Sequence, residues 1–151
     1  MTDRIEKNIF IRATRTRVWR ALADRTEFGS WFGVKLPAGS FAPSEKVSGN
    51  ITLRGYEHLV MDLEVVEVTP EERLSYRWHP YAIDAAVDYS EEPTTLVTFT
   101  LADAPEGTLL TVVESGFDQI PIVRRAEAFG KNDAGWGSQM KNIERHVSAS
   151  S

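Results

Sequence analysis

Cysteine is missing from this chain of 151 residues, which excludes thiolate nucleophiles, zinc–thiolate sites, cysteine-ligated iron–sulfur clusters and disulfide staples. That absence favours a reducing compartment, and the expected location is cytoplasmic. Histidine is scarce as well. His58, His79 and His146 fall into no HExxH pattern and no helical i, i+4 pair, so no metal site and no cofactor is expected. Long apolar runs are lacking, since no stretch approaches the roughly 18 residues of a membrane span and the first residues, Met1 to Lys7, are charged. The chain reads as soluble, untargeted and without a membrane partner. Positive charge is in deficit, 17 Lys and Arg against 22 Asp and Glu for a net −5, which opposes the counterion release that drives nucleic-acid binding. Nucleic acid is excluded as a partner on this ground. Arg12, Arg15, Arg17 and Arg20 are the one basic grouping, at the spacing of a solvated helix face.

What is present suits one globular domain over residues 1–151, with 148–151 as a frayed tail. A chain of this length buries roughly 70% of its unfolded surface and needs no covalent staple. Residues 4–12 alternate as a strand, with Phe10 the apolar exception on the outer face. Thr14 then caps a helix over 15–23, and a second short helix over 26–32 stops at Gly33. The period switches to strands at 46–54, 58–68, 72–79, 94–102 and 107–115, joined by turns at Gly55, Pro70, Pro80, Pro93 and Pro105 to Gly107. Five strands in a row make an antiparallel meander that must bury one face. The covering element is a helix from Ile122 to Val147, where Phe129, Trp136, Met140, Ile143 and Val147 fall within about 60° of one another at 100° per residue. Gly130, Gly135 and Gly137 weaken its start, and a bend or break is expected near 130–132.

A strand, two short helices, a meander and a long C-terminal helix is the element order of the α+β helix-grip fold of START and Bet v 1-like (SRPBCC) proteins. The expected architecture is therefore a curved antiparallel sheet of about six strands wrapped around that helix. Particular residues sharpen the likeness: Val18 to Leu22, the Trp31-Phe32 pair, Val66-x-Val68-x-Pro70-x-x-Arg73-Leu74-x-Tyr76-x-Trp78, Val97-x-Phe99-x-Leu101, Thr108-x-Leu110 leading to Glu114 to Phe117, and Gly135-Trp136 before Met140. In this order and spacing they resemble the heat-shock-protein-90 ATPase activator homologue family over nearly the whole chain. The resemblance implies a fold with a habit of enclosing a pocket, and no uniform catalytic motif. One departure is the connection Pro80 to Pro93, where many members have a tight hairpin; it carries Tyr81, Ile83, Val87, Tyr89 and several acids but no base. Such an insert serves either as a binding loop or as an acidic surface excursion with a short turn at 84–87.

Strand alternation puts Leu74, Tyr76 and Trp78 on one face, Val97, Phe99 and Leu101 on one, and Leu110, Val112 and Glu114 on one. With the helical stripe these define an expected cavity lined by Trp31, Tyr76, Trp78, Phe99, Val112, Phe117, Trp136 and Met140. Glu114 would be its polar anchor, partly buried at the rim and needing a partner. The expected function is to hold a small, mostly apolar molecule. The alternatives are a cyclase- or hydratase-like enzyme in the same cavity, which needs two titrating groups within reach, and a module that acts on a chaperone. A chaperone and a second copy of the chain are the protein partners left open. Asn50-Ile51-Thr52 matches a glycosylation sequon without a secretion signal to give it meaning, and Gly135 to Ser138 is neither a nucleotide-binding nor a nucleophile motif.

Overall fold

A computed structural model describes residues 4–84 and 86–149. Strand β1 (Arg4–Ile11) leads into helices α1 (Arg15–Ala23) and α2 (Arg25–Phe32), then strands β2 (Lys46–Asn50), β3 (Val60–Thr69), β4 (Arg73–Trp78), β5 (Thr95–Ala104) and β6 (Gly107–Ser115). A single 3-10 turn over Phe117–Gln119 precedes the last helix, α3 (Ile122–Ala149). The strands form one antiparallel sheet in the order β1-β6-β5-β4-β3-β2, so the meander is closed at one edge by the N-terminal strand. A register shift between Val65 and Glu67 bulges β3 and adds to the curvature. With α3 held against β1, α1 and α2, this is the helix-grip arrangement that the element order implies.

Local chemistry sets the helix limits. The Thr14 hydroxyl accepts from the Arg17 amide at 3.2 Å, and the Asp24 carboxylate accepts from the Glu27 amide at 2.9 Å, each satisfying an otherwise orphaned N–H. Gly33, in the left-handed region at φ 98°, ends α2. Of the basic grouping, Arg12, Arg15 and Arg20 pair with acids in partly solvated positions, while Arg17 is mostly withdrawn from solvent against Glu27 at 2.9 Å.

Four expectations about boundaries need correction. β2 stops at Asn50 rather than 54 and β3 starts at Val60 rather than 58. The chain leaving α2 pairs with the other edge of this segment, the Lys35 amide donating to Asn50 O at 2.9 Å and the Thr52 amide to Gly33 O at 2.8 Å, while on the β3 side the Ile51 amide makes the last bond, to Leu59 O at 2.9 Å. Beyond that pair residues 52–58 form a loop, turned by the bonds from the Tyr56 amide to Leu53 O and from the Leu59 amide to Tyr56 O. The break near 130–132 is absent, for α3 runs unbroken from Ile122. A helical Gly weakens a helix by up to about 1 kcal/mol, and the burial of Ala128, Trp136, Met140, Ile143 and Val147 on one stripe outweighs that. Ser148 and Ala149, expected to fray, are the last residues of α3; Ser150, Ser151 and residues 1–3 lie outside the described residues.

The interior between sheet and helices is filled by aromatic rings. Phe28 of α2 packs on Trp31 at 4.8 Å between centroids, on Phe41 at 5.4 Å and on Tyr76 at 6.4 Å, and Phe99 meets Trp136 at 5.7 Å. All four are edge-on contacts, a favoured ring geometry in a packed core.

Candidate functional site

β6 alternates inward Thr108, Leu110, Val112 and Glu114 with outward neighbours, so the last inward position of an apolar strand face holds a carboxylate with no exposed surface. Among the described residues each of its side-chain hydrogen bonds comes from a neutral donor. Oε2 accepts from Trp78 Nε1 at 2.7 Å and from Thr95 Oγ1 at 2.5 Å; Oε1 accepts from Trp136 Nε1 at 2.8 Å; Asn132 Nδ2 reaches both oxygens, at 2.9 and 3.1 Å. Among the described residues no cation pairs with it. Neutral donors thus replace water around a buried acid, and in doing so join β4, β5, β6 and α3 at one point. Neighbouring Tyr76 is the opposite case. Its hydroxyl is buried and has no hydrogen-bond partner among the described residues. Burial, and after it the Glu114 charge, pushes the Tyr76 phenol well above its ordinary value of 10.0.

Beyond Trp78 and Asn132 lies a cleft of about 560 Å³. Trp78 belongs to both regions, with its N–H on Glu114 and its ring edge-on to Tyr76 at 5.5 Å and tilted against Trp136 at 5.8 Å. One side of the cleft is the 52–58 loop, with Leu53 and Tyr56, together with Val60 and Asp62 of β3. The other is the Pro80 to Pro93 connection, through Tyr81, Ile83, Val87 and Asp88. Leu53, Tyr56, Val60, Ile83 and Val87 are all large apolar side chains left exposed, from 40% to 57%. Their convergence on one hollow separates them from the scattered apolar residues of any surface.

The insert is held in place by α3. Arg124 donates from Nε to Glu92 Oε1 at 2.9 Å and from a terminal nitrogen to Pro80 O at 2.9 Å, and its guanidinium lies over the Tyr89 ring at 4.8 Å. Val87 N bonds Asp84 O at 3.0 Å, closing the turn foreseen at 84–87. His79 Nε2 is 3.1 Å from Glu92 O, which ties down the strand end. The Asp88 carboxyl is held below the usual range by the backbone N–H and the side chain of Ser90, so it is a fixed negative charge at the cleft.

Of the nine residues expected to form the site, Trp78 lines this cleft, and Trp78 and Trp136 line a small adjoining hollow of about 90 Å³. Tyr76, Phe99, Val112, Phe117 and Met140 lie in the packed core, Trp31 is buried there while also bordering an open trough between α2 and α3, and Glu114 sits fully buried behind Trp78 and Asn132 rather than at a rim. The rings of α2 and α3 occupy the volume that an interior cavity would need. Phe32, Leu53, Tyr56, Ile83 and Asn132, which border the cleft, were outside the expected set. The mixed aromatic and apolar content of the insert was the signal that pointed there. Among the described residues no group of His, Asp and Glu comes together as a metal site, and no helix is long and apolar enough to cross a membrane.

The sequence model of the family described as Activator of Hsp90 ATPase homolog 1-like protein matches residues 12–148. Among solved structures, protein MLL2253 from Mesorhizobium loti is similar at 26% identity and a TM-score of 0.76, with 98% of each chain covered. The Aha1 dimer from Colwellia psychrerythraea shares the fold at 14% identity and a TM-score of 0.70, over 97% of this chain and 96% of its own. So does DynU16, a protein of the dynemicin biosynthetic locus, at 24% identity and a TM-score of 0.74; this chain spans 48% of its length. No curated protein matches the chain.

Proposed function

The chain belongs to the Activator of Hsp90 ATPase homolog 1-like family, and from that premise we propose that it holds a small, mostly apolar molecule in the cleft over Trp78. The observation that carries the reading is the convergence of Leu53, Tyr56, Val60, Ile83 and Val87, all exposed, around one 560 Å³ hollow. That volume lies within the range of about 300–1,000 Å³ usual for small-molecule sites. A bound apolar molecule would take these side chains out of water at roughly 25 cal/mol per Å² of buried apolar area. Binding rather than turnover fits the polar groups at hand. Glu114 is saturated by four donor side chains and shut off from the cleft by two of them, so it is poorly placed to take a proton from a bound molecule. In this reading Trp78 is the floor, and the core residues Tyr76, Phe99, Trp136 and Met140 hold that floor rigid.

Titration with a neutral N-phenylnaphthylamine dye tests the reading. The dye is expected to bind with enhanced emission, and Ile83→Asp, which puts a charge in the apolar wall at an exposed position, to weaken it by about tenfold or more without lowering the melting temperature. Dye binding that ignores both Ile83→Asp and Leu53→Asp would rule the cleft out.

A further inference from the structure

The cleft continues along α3. Phe32, Trp78 and Asn132, which border it, also wall the small hollow completed by Gly135, Trp136 and Gln139. Phe32, Gly135 and Gln139 in turn border an open trough of about 660 Å³ between the end of α2 and α3. Three depressions with shared walls make one groove. At 1.5 Å per residue, Asn132 and Arg145 mark ends about 20 Å apart along the helix axis.

The chemistry changes along that length. At the Trp78 end the walls are apolar and the charges are the carboxylates Asp62 and Asp88. At the far end stand Ser30, Thr52, Ser138, Asn142 and Arg145. A directed chain of hydrogen bonds orients the latter group: Arg145 donates to Asn142 Oδ1 at 2.5 Å, Asn142 Nδ2 to Gln139 Oε1 at 3.0 Å, and Gln139 Nε2 to Phe32 O at 2.8 Å. Arg145 has no carboxylate partner among the described residues. A guanidinium has five N–H donors in a fork suited to carboxylate and phosphate oxygens; here one neutral acceptor engages it. Gly135 lies midway. A Cβ there would meet nothing within 4 Å, so the protein's own packing does not require glycine. Gly130 and Gly137 have the same open space but do not wall the groove.

We propose that the groove binds a long-chain amphiphile with an anionic head, a carboxylate or phosphate, its tail in the cleft over Trp78 and its head at Arg145. The inference rests on the ligand-binding reading above and adds the ligand's chemical class and direction. Asp62 and Asp88 set the direction by repelling an anion from the tail end, and Gly135 keeps the neck open for the chain.

Competition against the bound naphthylamine dye tests this, with dodecanoate, dodecyl phosphate, dodecanol and dodecylammonium each used below its micellar concentration. On the wild-type protein at least one of the two anions is expected to displace the dye about five- to tenfold more tightly than dodecanol, the scale of one partly solvated charged hydrogen-bond pair. Whichever anion does so identifies the head. Arg145→Gln is expected to erase the preference and leave dodecanol unchanged. Gly135→Leu is expected to plug the neck, so that the dodecyl compounds lose affinity while the dye still binds, and to melt no lower than wild type because Leu is the better helix former. Equal or tighter displacement by dodecanol or dodecylammonium, or an anion preference that survives Arg145→Gln, would overturn the inference and leave the cleft reading standing. Failure of the dye itself to bind would remove both.

Discussion

Glu114 shows how one residue can fix several elements. A carboxylate carried into an apolar interior is strongly unfavourable unless its lone pairs are met, and here two indoles, a hydroxyl and an amide meet them. Gln in its place keeps the shape but turns one acceptor into a donor that faces other donors. Glu114→Gln is therefore expected to lower stability by about 1–3 kcal/mol, the penalty for leaving buried polar groups unmatched, as read from urea midpoints at unchanged m-value. A loss of less than about 0.5 kcal/mol, the usual scatter of surface changes, would mean that the donors are not held by this carboxylate. Because Trp78 is one of them, the same change is expected to loosen the floor of the cleft and weaken dye binding as well.

At the scale of elements, the Pro80 to Pro93 connection has its order supplied by α3 more than by its own sequence. Arg124 reaches it through Glu92, Pro80 O, Tyr81 O and the Tyr89 ring. Arg124→Ala is expected to release the loop, seen as faster amide hydrogen exchange over residues 80–92 and weaker dye binding, while the strands keep their protection. Exchange unchanged across that loop would show that another contact holds it. The strands, both early helices and the inward face of β6 were legible because their signals are local, an alternation or a helical period. Residues 51–54 also alternate like a strand, and the alternation does not report that the chain turns back at Leu53 to Leu59 instead of pairing further with β3. The glycines of α3 misled for the same reason: propensity is local, whereas the stripe of Trp136, Met140, Ile143 and Val147 acts through the sheet it covers. In the candidate site Trp78 was legible from strand alternation. The donors to Glu114 come from positions 18 to 36 residues distant, and the cleft's walls come from two loops, so neither left a periodic trace. Alternation gave the inward faces correctly but said nothing of how fully the rings of α2 and α3 fill the space beneath them.

For the whole molecule, two titrating groups, the buried Tyr76 and the half-buried Glu27, shape stability against pH from opposite sides. Tyr76 keeps its proton in the folded chain above pH 10.0, where the unfolded chain releases it. Above that pH the folded state binds more protons, so stability falls as pH rises, at up to about 1.4 kcal/mol per pH unit. At the acid end burial raises the Glu27 carboxyl, but hydrogen bonds from His146 and Arg17, the Arg17 charge and the bond from Arg20 outweigh it and hold it below its ordinary 4.5. The unfolded chain takes up that proton first, so this contribution is present above pH 4.5 and is lost as pH falls through the lowered value. Urea midpoints across the pH range are expected to drop on both sides. Tyr76→Phe removes a buried hydroxyl without a partner and is expected to flatten the alkaline side with no loss at neutral pH. An alkaline slope unchanged in that variant would assign it to other groups.

The cleft over Trp78 is the centre of the account, and the indole N–H signals of the four tryptophans, Trp19, Trp31, Trp78 and Trp136, report on it directly. Trp78 floors the cleft, Trp136 stands just behind it, and Trp31 is buried with its N–H bonded to Ala21 O at 2.8 Å. In a nitrogen–proton correlation spectrum assigned by single Trp→Phe changes, titration with the neutral naphthylamine dye is expected to move the Trp78 signal most, Trp136 less and Trp31 hardly at all. A saturating dye that leaves Trp78 in place while Trp31 moves would put the ligand in the core or in the trough that Trp31 borders, away from the cleft, and contradict the account.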